Sequence, residues 1–296
     1  MTRLDGRVAI VTGAGRGLGR CHALFLAAQG AAVVVNDLGG DVSGEGADPT
    51  PAQQVVAEIE RSGGRAAVSG HDVSDWEQAR EIVALAIESF GELHVLVNNA
   101  GILRDRTLAN LSEEEWDVVL RVHLKGHAAM THHAMAHWRG RAKAGEPVRA
   151  SLIHTTSVAG FTGNFGQAAY AAAKSGIAGL SQVAALEGAR YDVRSNAVSP
   201  SARTRLEDSI ASSDESFDRF DPANVSPLVG WLAEADCPAT AQVFQIYGDE
   251  LVVIAMPAPV HRLSNGARWT PEALGKALEG RLLAPPKIAD FVTGLA

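Results

Sequence analysis

Cysteine is scarce: Cys21 and Cys237 are the only two in 296 residues. Far apart and without a Cys or His at metal-ligand spacing, they exclude a disulfide framework. They read as small buried hydrophobes in a reducing compartment. No apolar run reaches the roughly 20 residues that a membrane span requires. The opening "MTRLDGRVAIVTG" also lacks the charged region, apolar run and cleavage site, in that order, of a secretory signal. A cytoplasmic location without membrane attachment is the expectation. Positive charge is short as well, with 26 Lys and Arg against 34 Asp and Glu. That balance argues against a nucleic-acid surface while leaving room for a local basic pocket that holds an anion. Repeats at solenoid periods are missing.

What is present is an alternation. Short β-branched runs, "RVAIVT", "AAVVVND", "RAAVSG" and "LHVLVNN", are separated by helical patterns over 18–29, 52–61 and 76–90. Strands apolar on both faces, with helices between them, imply a parallel sheet covered on both sides, and right-handed crossovers wind it in two directions. The predicted fold class is therefore α/β, a Rossmann-like doubly wound parallel sheet with helices on both faces. The second half continues with a helix opened by a Ser112–Glu115 capping box, a strand near "VRASLIHTTS", a helix over 167–189 and a strand at "VRSNAVSP". After Pro200 a segment rich in Ser, Asp and Arg resembles a loop that covers a ligand. A short helix over 227–233 and a strand near "TAQVFQIYG" follow. One dinucleotide-binding and catalytic domain over 1–250 is expected. The proline-containing extension over 251–296, with a helix over 271–279, is expected to pack on that domain or on a neighbouring subunit.

The stretch "VTGAGRGLGR" sets Gly13, Gly17 and Gly19, with Arg16 and Leu18 among them, between the first strand and the first helix. Missing side chains there permit a tight turn, close approach of a phosphate to backbone, and a helix N-terminus facing a pyrophosphate. Asp37 closes the second strand, where a carboxylate accepts both ribose hydroxyls of an adenosine. The same carboxylate repels a 2′-phosphate, at a cost of about 1 kcal/mol or more. NAD is thus expected over NADP, with Arg16 and Arg20 as a partial offset. Asp72, followed by Val73, stands where it can accept the adenine amino hydrogens, or serve simply as a helix cap or turn residue.

The segment "QAAYAAAKSG" carries Tyr170 and, one helical turn on, Lys174. A free tyrosine, with a pKa near 10, is a poor base at neutral pH, and a nearby ammonium and a cationic nicotinamide both favour its phenolate. Ser157, in "HTTSVAG", ends the preceding strand on the edge where open α/β sheets bind ligands. The three suit hydride-transfer chemistry: Tyr170 exchanges the proton, Ser157 holds the substrate oxygen, and Lys174 tunes the tyrosine and holds the cofactor ribose. A Tyr and a Lys that merely flank a buried alanine face is the plain structural alternative.

Together these motifs resemble the short-chain dehydrogenase/reductase family over roughly the first 250 residues. "TGAGRGLG" is similar to its cofactor turn and "NNAG" to its fourth-strand motif, which implies cofactor contacts from Asn99, Ala100 and Gly101. Ser157, Tyr170 and Lys174 resemble its catalytic set, and Thr204 falls where the family often binds the nicotinamide carboxamide. Two positions depart from the pattern. Ser201 stands where a Gly usually follows the proline, and His123, in "RVHLKG", replaces an Asn that joins a proton relay. His123 is accordingly a candidate relay residue or a core histidine. Within the family, "VVVNDLGGD", "NNAGILRDR" and "GNFGQAAYAAAK" are similar to the (3R)-hydroxyacyl-CoA dehydrogenase branch. That branch comprises the dehydrogenase parts of peroxisomal multifunctional enzymes of type 2 and stand-alone bacterial proteins. The resemblance implies NAD-linked oxidation of a 3-hydroxyacyl-CoA in a homodimer or homotetramer. An NAD-dependent dehydrogenase of a free alcohol or steroid, and a non-catalytic NAD-binding scaffold, are the rival readings.

Other features are weighed against these. His133 and His137 lie at i and i+4 in "HAAMTHHAMAHW" with no carboxylate evident beside them, so a helix in a subunit interface is expected in preference to a metal site. Arg104, Arg106, Arg203 and Arg205 are candidates for the phosphates of CoA.

Overall fold

Strand β1, Val8–Thr12, is buried along its whole length in the computed structural model, which describes residues 3–40, 46, 48, 50–203 and 217–292. Its side chains divide between two cores, with Val8 and Ile10 in one and Ala9 and Val11 in the other. The two-residue period of a strand therefore requires apolar cover on both faces. Helices α1 (Gly17–Ala28), α2 (Thr50–Arg61) and α8 (Ser226–Leu232) supply it on one side. On the other side it comes from α3 (Trp76–Phe90), α5 (Gly126–Lys143) and α7 (Ala168–Gly188).

The remaining strands are β2 (Ala32–Asn36), β3 (Arg65–Ser69), β4 (Val95–Asn98), β5 (Ala150–Thr155), β6 (Val193–Ser201), β7 (Val243–Tyr247) and β8 (Glu250–Ile254), in the order β3-β2-β1-β4-β5-β6-β7-β8. The first seven are parallel, which makes this the doubly wound α/β sheet predicted from the alternation. The winding reverses between β1 and β4, paired from Ala9 with Val95 to Val11 with Val97. Ligands of such sheets bind beyond the carboxyl ends of the strands at this reversal.

Local signals explain several boundaries. Asp75 accepts the Gln78 N–H at 2.9 Å to cap α3, which stops at Gly91 with φ +85. Helix α4 (Glu113–Leu120) opens with the expected capping box of Ser112 and Glu115, and the short α6 (Ala159–Thr162) follows β5. Between α4 and α5 the chain makes a π-helical turn, Arg121–Lys125, that brings His123 into the interior. Such a turn shares its composition with the α-helices around it, so periodicity alone does not reveal it.

Two expectations need correction. The sheet does not end with β7: β8 joins it as an antiparallel edge strand after a two-residue turn with Gly248 at φ +55. "YGDELVVI" carries that hairpin signal, a Gly-Asp pair before a β-branched run. His137 does have a carboxylate neighbour, since its Nε2 lies 2.7 Å from Glu92 Oε1, while His133 Nε2 meets the Trp76 carbonyl at 2.9 Å. Both histidines thus fasten α5 to the ends of α3, and no group of metal ligands is found among the described residues. Cys237 is buried as expected, whereas Cys21 is half-buried; both are free thiols. No helix among the described residues is long and apolar enough to cross a membrane.

Past β8 the chain is largely exposed through α9 (Pro271–Leu278) and then turns inward at Ile288–Asp290. Val292, 1% exposed, packs with Val158 and Tyr247.

Candidate active site

A cleft of about 560 Å³ lies at the carboxyl ends of β1, β2, β4 and β5, within the usual size of small-molecule sites. The glycine turn forms its floor. Gly13 (φ +64) and Gly17 (φ +52) use left-handed backbone, and a Cβ on Gly13 would stand 2.8 Å from Ala100 Cα. A Cβ on Gly19 would meet the Gly13 carbonyl at 2.1 Å, so strand, turn and helix close up only without side chains. Thr12 and Asn99 tie this turn to β4. The Thr12 hydroxyl accepts the N–H groups of Asn99 (2.9 Å) and Ala100 (3.1 Å). Asn99 Nδ2 in return donates to the carbonyls of Thr12 (3.0 Å) and Gly13 (3.2 Å).

Asp37 reaches back to the same turn. Its Oδ2 accepts the Gly15 N–H and its Oδ1 the Gly39 N–H, each at 2.7 Å. Each carboxylate oxygen keeps a second lone pair for a further donor. Arg16, Leu18, Asp72, Val73, Ala100 and Gly101 also line the cleft. Asp72 Oδ1 accepts the Ser74 N–H at 2.8 Å, the turn arrangement that its sequence context allows. Arg20 instead pairs with Glu58 at 2.5 Å. A dinucleotide fits this donor set: a glycine cradle, first-turn amides of α1 with no side-chain cap among the described residues, and a fixed carboxylate at the ribose position.

Ser157, Tyr170, Lys174 and His123 line the other half of the cleft. The Lys174 ammonium is buried, donates to the Thr155 carbonyl at 2.7 Å, and lies 5.5 Å from the centre of the Tyr170 ring. Burial pulls its pKa down to about 7. Helix α7 is seated by the Thr156 hydroxyl, which donates to the Lys174 carbonyl at 2.8 Å. His123 is 1% exposed and stands edge-on to Tyr170, with ring centres 5.4 Å apart. Burial, helped by the Lys174 charge, pulls its pKa down to about 3. Its Nε2 lies 3.0 Å from the Ile102 nitrogen and 2.8 Å from the Ile102 carbonyl oxygen. Nε2 thus has a partner with or without a proton, donating to that carbonyl or accepting from that N–H, while Nδ1 is buried with no hydrogen-bond partner among the described residues.

The structure adds a group that sequence reasoning missed. His127, on the same helical face as His123, stacks against His154 of β5 with ring centres 5.9 Å apart, and Asn98 Nδ2 lies 3.4 Å from His154 Nδ1. Burial drives the pKa of His127 well below the ordinary value and that of His154 down to about 4. The i, i+4 spacing of His123 and His127 was the available signal. Arg121, also missed, lines the cleft from an exposed position. Two arginines considered for CoA are engaged within the chain, Arg106 with Glu115 at 3.1 Å and Arg203 with Asp218 at 2.8 Å. Ser201 continues β6, and its hydroxyl accepts Gln245 Nε2 at 2.9 Å. Thr204 and Arg205 lie outside the described residues.

A sheet of this topology with such a cleft defines a class, and comparison with known proteins names it. The short chain dehydrogenase family model matches residues 7–214, and the chain belongs to that family of oxidoreductases acting on CH–OH groups. Hydroxyacyl-CoA dehydrogenase ChsB1 of Mycobacterium tuberculosis is 41% identical over 290 residues, 94% of this chain and 89% of that protein. Peroxisomal multifunctional enzyme type 2 of Mus musculus is 42% identical over 244 residues, 82% of this chain. The chain spans only 32% of that longer protein. A short chain dehydrogenase from Mycobacterium avium, known as a crystal structure, superposes with a TM-score of 0.87 at 49% identity, covering 96% of this chain and 98% of that one.

The buried imidazoles make acid sensitivity predictable. An unfolded chain protonates its histidines as pH falls through about 6.5, whereas the folded protein holds protons off His22 and His123 until about 3 and off His154 until about 4. The unfolded state binds more protons across that window, so stability present above the unfolded pKa is lost as pH falls. Each such histidine contributes a slope of about 1.4 kcal/mol per pH unit. Urea midpoints measured downward from neutral pH are expected to fall steadily across this interval; level midpoints would contradict burial of neutral imidazoles.

Proposed function

We propose that this protein is an NAD-dependent dehydrogenase that oxidises the hydroxyl of a 3-hydroxyacyl-CoA, the (3R) isomer, to the 3-oxoacyl-CoA. The observation that carries the reading is the meeting in one cleft of Ser157, Tyr170 and buried Lys174 with a glycine cradle and a fixed Asp37. The acyl-CoA assignment draws on the similarity to ChsB1 across 94% of the chain.

NAD, when bound, supplies the hydride acceptor. The chain's own residues handle the proton and the oxygen. The Tyr170 phenolic oxygen takes the hydroxyl proton while the Ser157 hydroxyl donates a hydrogen bond to the substrate oxygen as it becomes a carbonyl. The Lys174 ammonium, held by Thr155, favours negative charge on the neighbouring phenol oxygen. His123 serves as a relay residue in this reading, because its ring stands edge-on to Tyr170 and its Nε2 can either donate to or accept from the Ile102 backbone. Gly13, Gly17, Gly19 and the NNAG residues hold the pyrophosphate and the nicotinamide half, Asp72 and Val73 the adenine, and Thr204 the carboxamide. Asp37 takes the adenosine ribose and disfavours a 2′-phosphate. Arg121 is the cation at the mouth suited to the CoA phosphates.

A homo-oligomer belongs to the same reading. Val183 and Leu186, 50% and 78% exposed one turn apart on α7, offer an apolar outer face for a second copy. The free cysteines suit a reducing compartment, taken here as the cytoplasm.

The decisive assay follows NADH formation with (3R)- and (3S)-hydroxyacyl-CoA esters beside the matching free alcohols. Turnover confined to the (3R) thioesters is expected; turnover of alcohols alone would discard the CoA assignment, and none at all despite NAD binding would favour a scaffold. Tyr170→Phe is expected to lower kcat by about a hundredfold or more while NADH affinity is retained. Titration of NADH and NADPH should show clear preference for NADH, lost in Asp37→Ser, and equal affinities in the wild type would sink the NAD assignment. His123→Ala should lower kcat and shift its pH profile, with partial recovery in His123→Asn, whereas an unchanged profile leaves His123 a core residue.

A further inference from the structure

The cleft changes character along its length. Its nucleotide half is built of glycines, backbone amides and the Asp37 carboxylate. Around Ser157 the lining holds polar Asn164, Gln167 and Ser201 and also an aliphatic group, Val158, Ala159, Ala202, Ile288 and Val292. Two of these come from the turn that ends the described chain, far in sequence from every motif named above.

That turn is firmly built. The Lys287 N–H donates to Asp290 Oδ2 at 2.8 Å, and the Phe291 N–H to the Ile288 carbonyl at 2.9 Å. Val292 is sunk between Val158, the residue after Ser157, and Tyr247. Phe220 packs at a tilt of 55° against Tyr247 with ring centres 5.0 Å apart, and the Arg219 guanidinium lies 4.7 Å over that ring while pairing with Glu250 at 2.7 Å. Ile288 is only partly buried, so its side chain meets the cleft from a backbone that Val292 anchors.

We propose that Ile288, backed by Val292, is the wall against which the acyl part of the substrate lies, and that it determines the acyl size the enzyme accepts. This rests on the hydroxyacyl-CoA reading for the identity of the apolar group. The side chains on this wall carry no hydrogen-bonding group, so discrimination is by shape and apolar contact. One methylene in such a contact changes affinity by roughly tenfold or more.

The test is equilibrium binding to the full-length, NAD-loaded protein, in which no hydride is available to reduce a ketone, using short, medium and long straight-chain 3-oxoacyl-CoA esters and, in parallel, methyl ketones of the same chain lengths. Ile288→Trp is expected to raise the long-to-short ratio of Kd roughly tenfold or more, and Ile288→Ala to lower it severalfold. Affinity for NADH should stay within about twofold in both variants, which reports that the fold is intact. Unchanged ratios in both variants, or no dependence on chain length in either ligand series, would overturn the wall. Should thioesters bind no better than ketones, the CoA reading fails separately, and the ketone ratios judge the wall by the same criterion.

Discussion

The hydrogen bonds between Thr12 and Asn99 join the two halves of the sheet at the point where its winding reverses. Parallel strands that lead to helices in opposite directions leave a crevice beyond their ends. In this chain one hydroxyl and one carboxamide set its width. The same carboxamide holds the Gly13 carbonyl, so the cofactor turn and the backbone beside His123 belong to one hydrogen-bonded unit. Asp37 completes it by holding Gly15 from the next strand. A crevice fixed in this way can receive a ligand without first ordering itself, which reduces the conformational cost of binding.

The electrostatics beneath that crevice run against ordinary expectation. Four polar side chains, Lys174, His123, His127 and His154, lie buried together, and burial lowers the proton affinity of every one. Keeping the three imidazoles neutral avoids placing further positive charge beside the lysine, where mutual repulsion in a poorly solvated region would be costly. Lys174 alone sits close to the change of charge at neutral pH, and its fixed partner is a backbone carbonyl, which has no charge to neutralise it. The neighbourhood thus accommodates a negative oxygen next to that ammonium better than it does an isolated cation.

Much of this was legible in the sequence because it rests on local chemistry. Strands such as "VAIVT" announce cover on both faces, Ser112 and Glu115 announce a helix start, and the glycines between β1 and α1 announce a turn with no room for side chains. The Tyr170–Lys174 pair is a consequence of helical spacing alone. What stayed hidden depends on distant contacts or on small changes of helical pitch. The π-helical turn around His123 has the composition of an α-helix. The stacking of His127 on His154 needs β5 to lie beside α5, and the burial of Val292 needs a segment remote in sequence to fold back to β7. The β8 hairpin is signalled by Gly248 and Asp249, but the prolines that follow read as an extension and mask the edge strand.

The reversal of direction at β8 has a consequence for how the chain is used. Seven parallel strands all point their carboxyl ends to the sheet edge that carries the cleft, whereas β8, five residues long, carries the chain about 17 Å away from that edge. Everything between Ile254 and Lys287 is therefore a return path, tied at one end by strand pairing and at the other by Val292. The entropy of closing such a loop grows only slowly with its length. The return path can accordingly lengthen, shorten or change sequence at little thermodynamic cost while the few residues at its far end stay in register with the site. A catalytic scaffold and the aliphatic side chains, Ile288 and Val292, that line its cleft are in this way free to diverge at different rates.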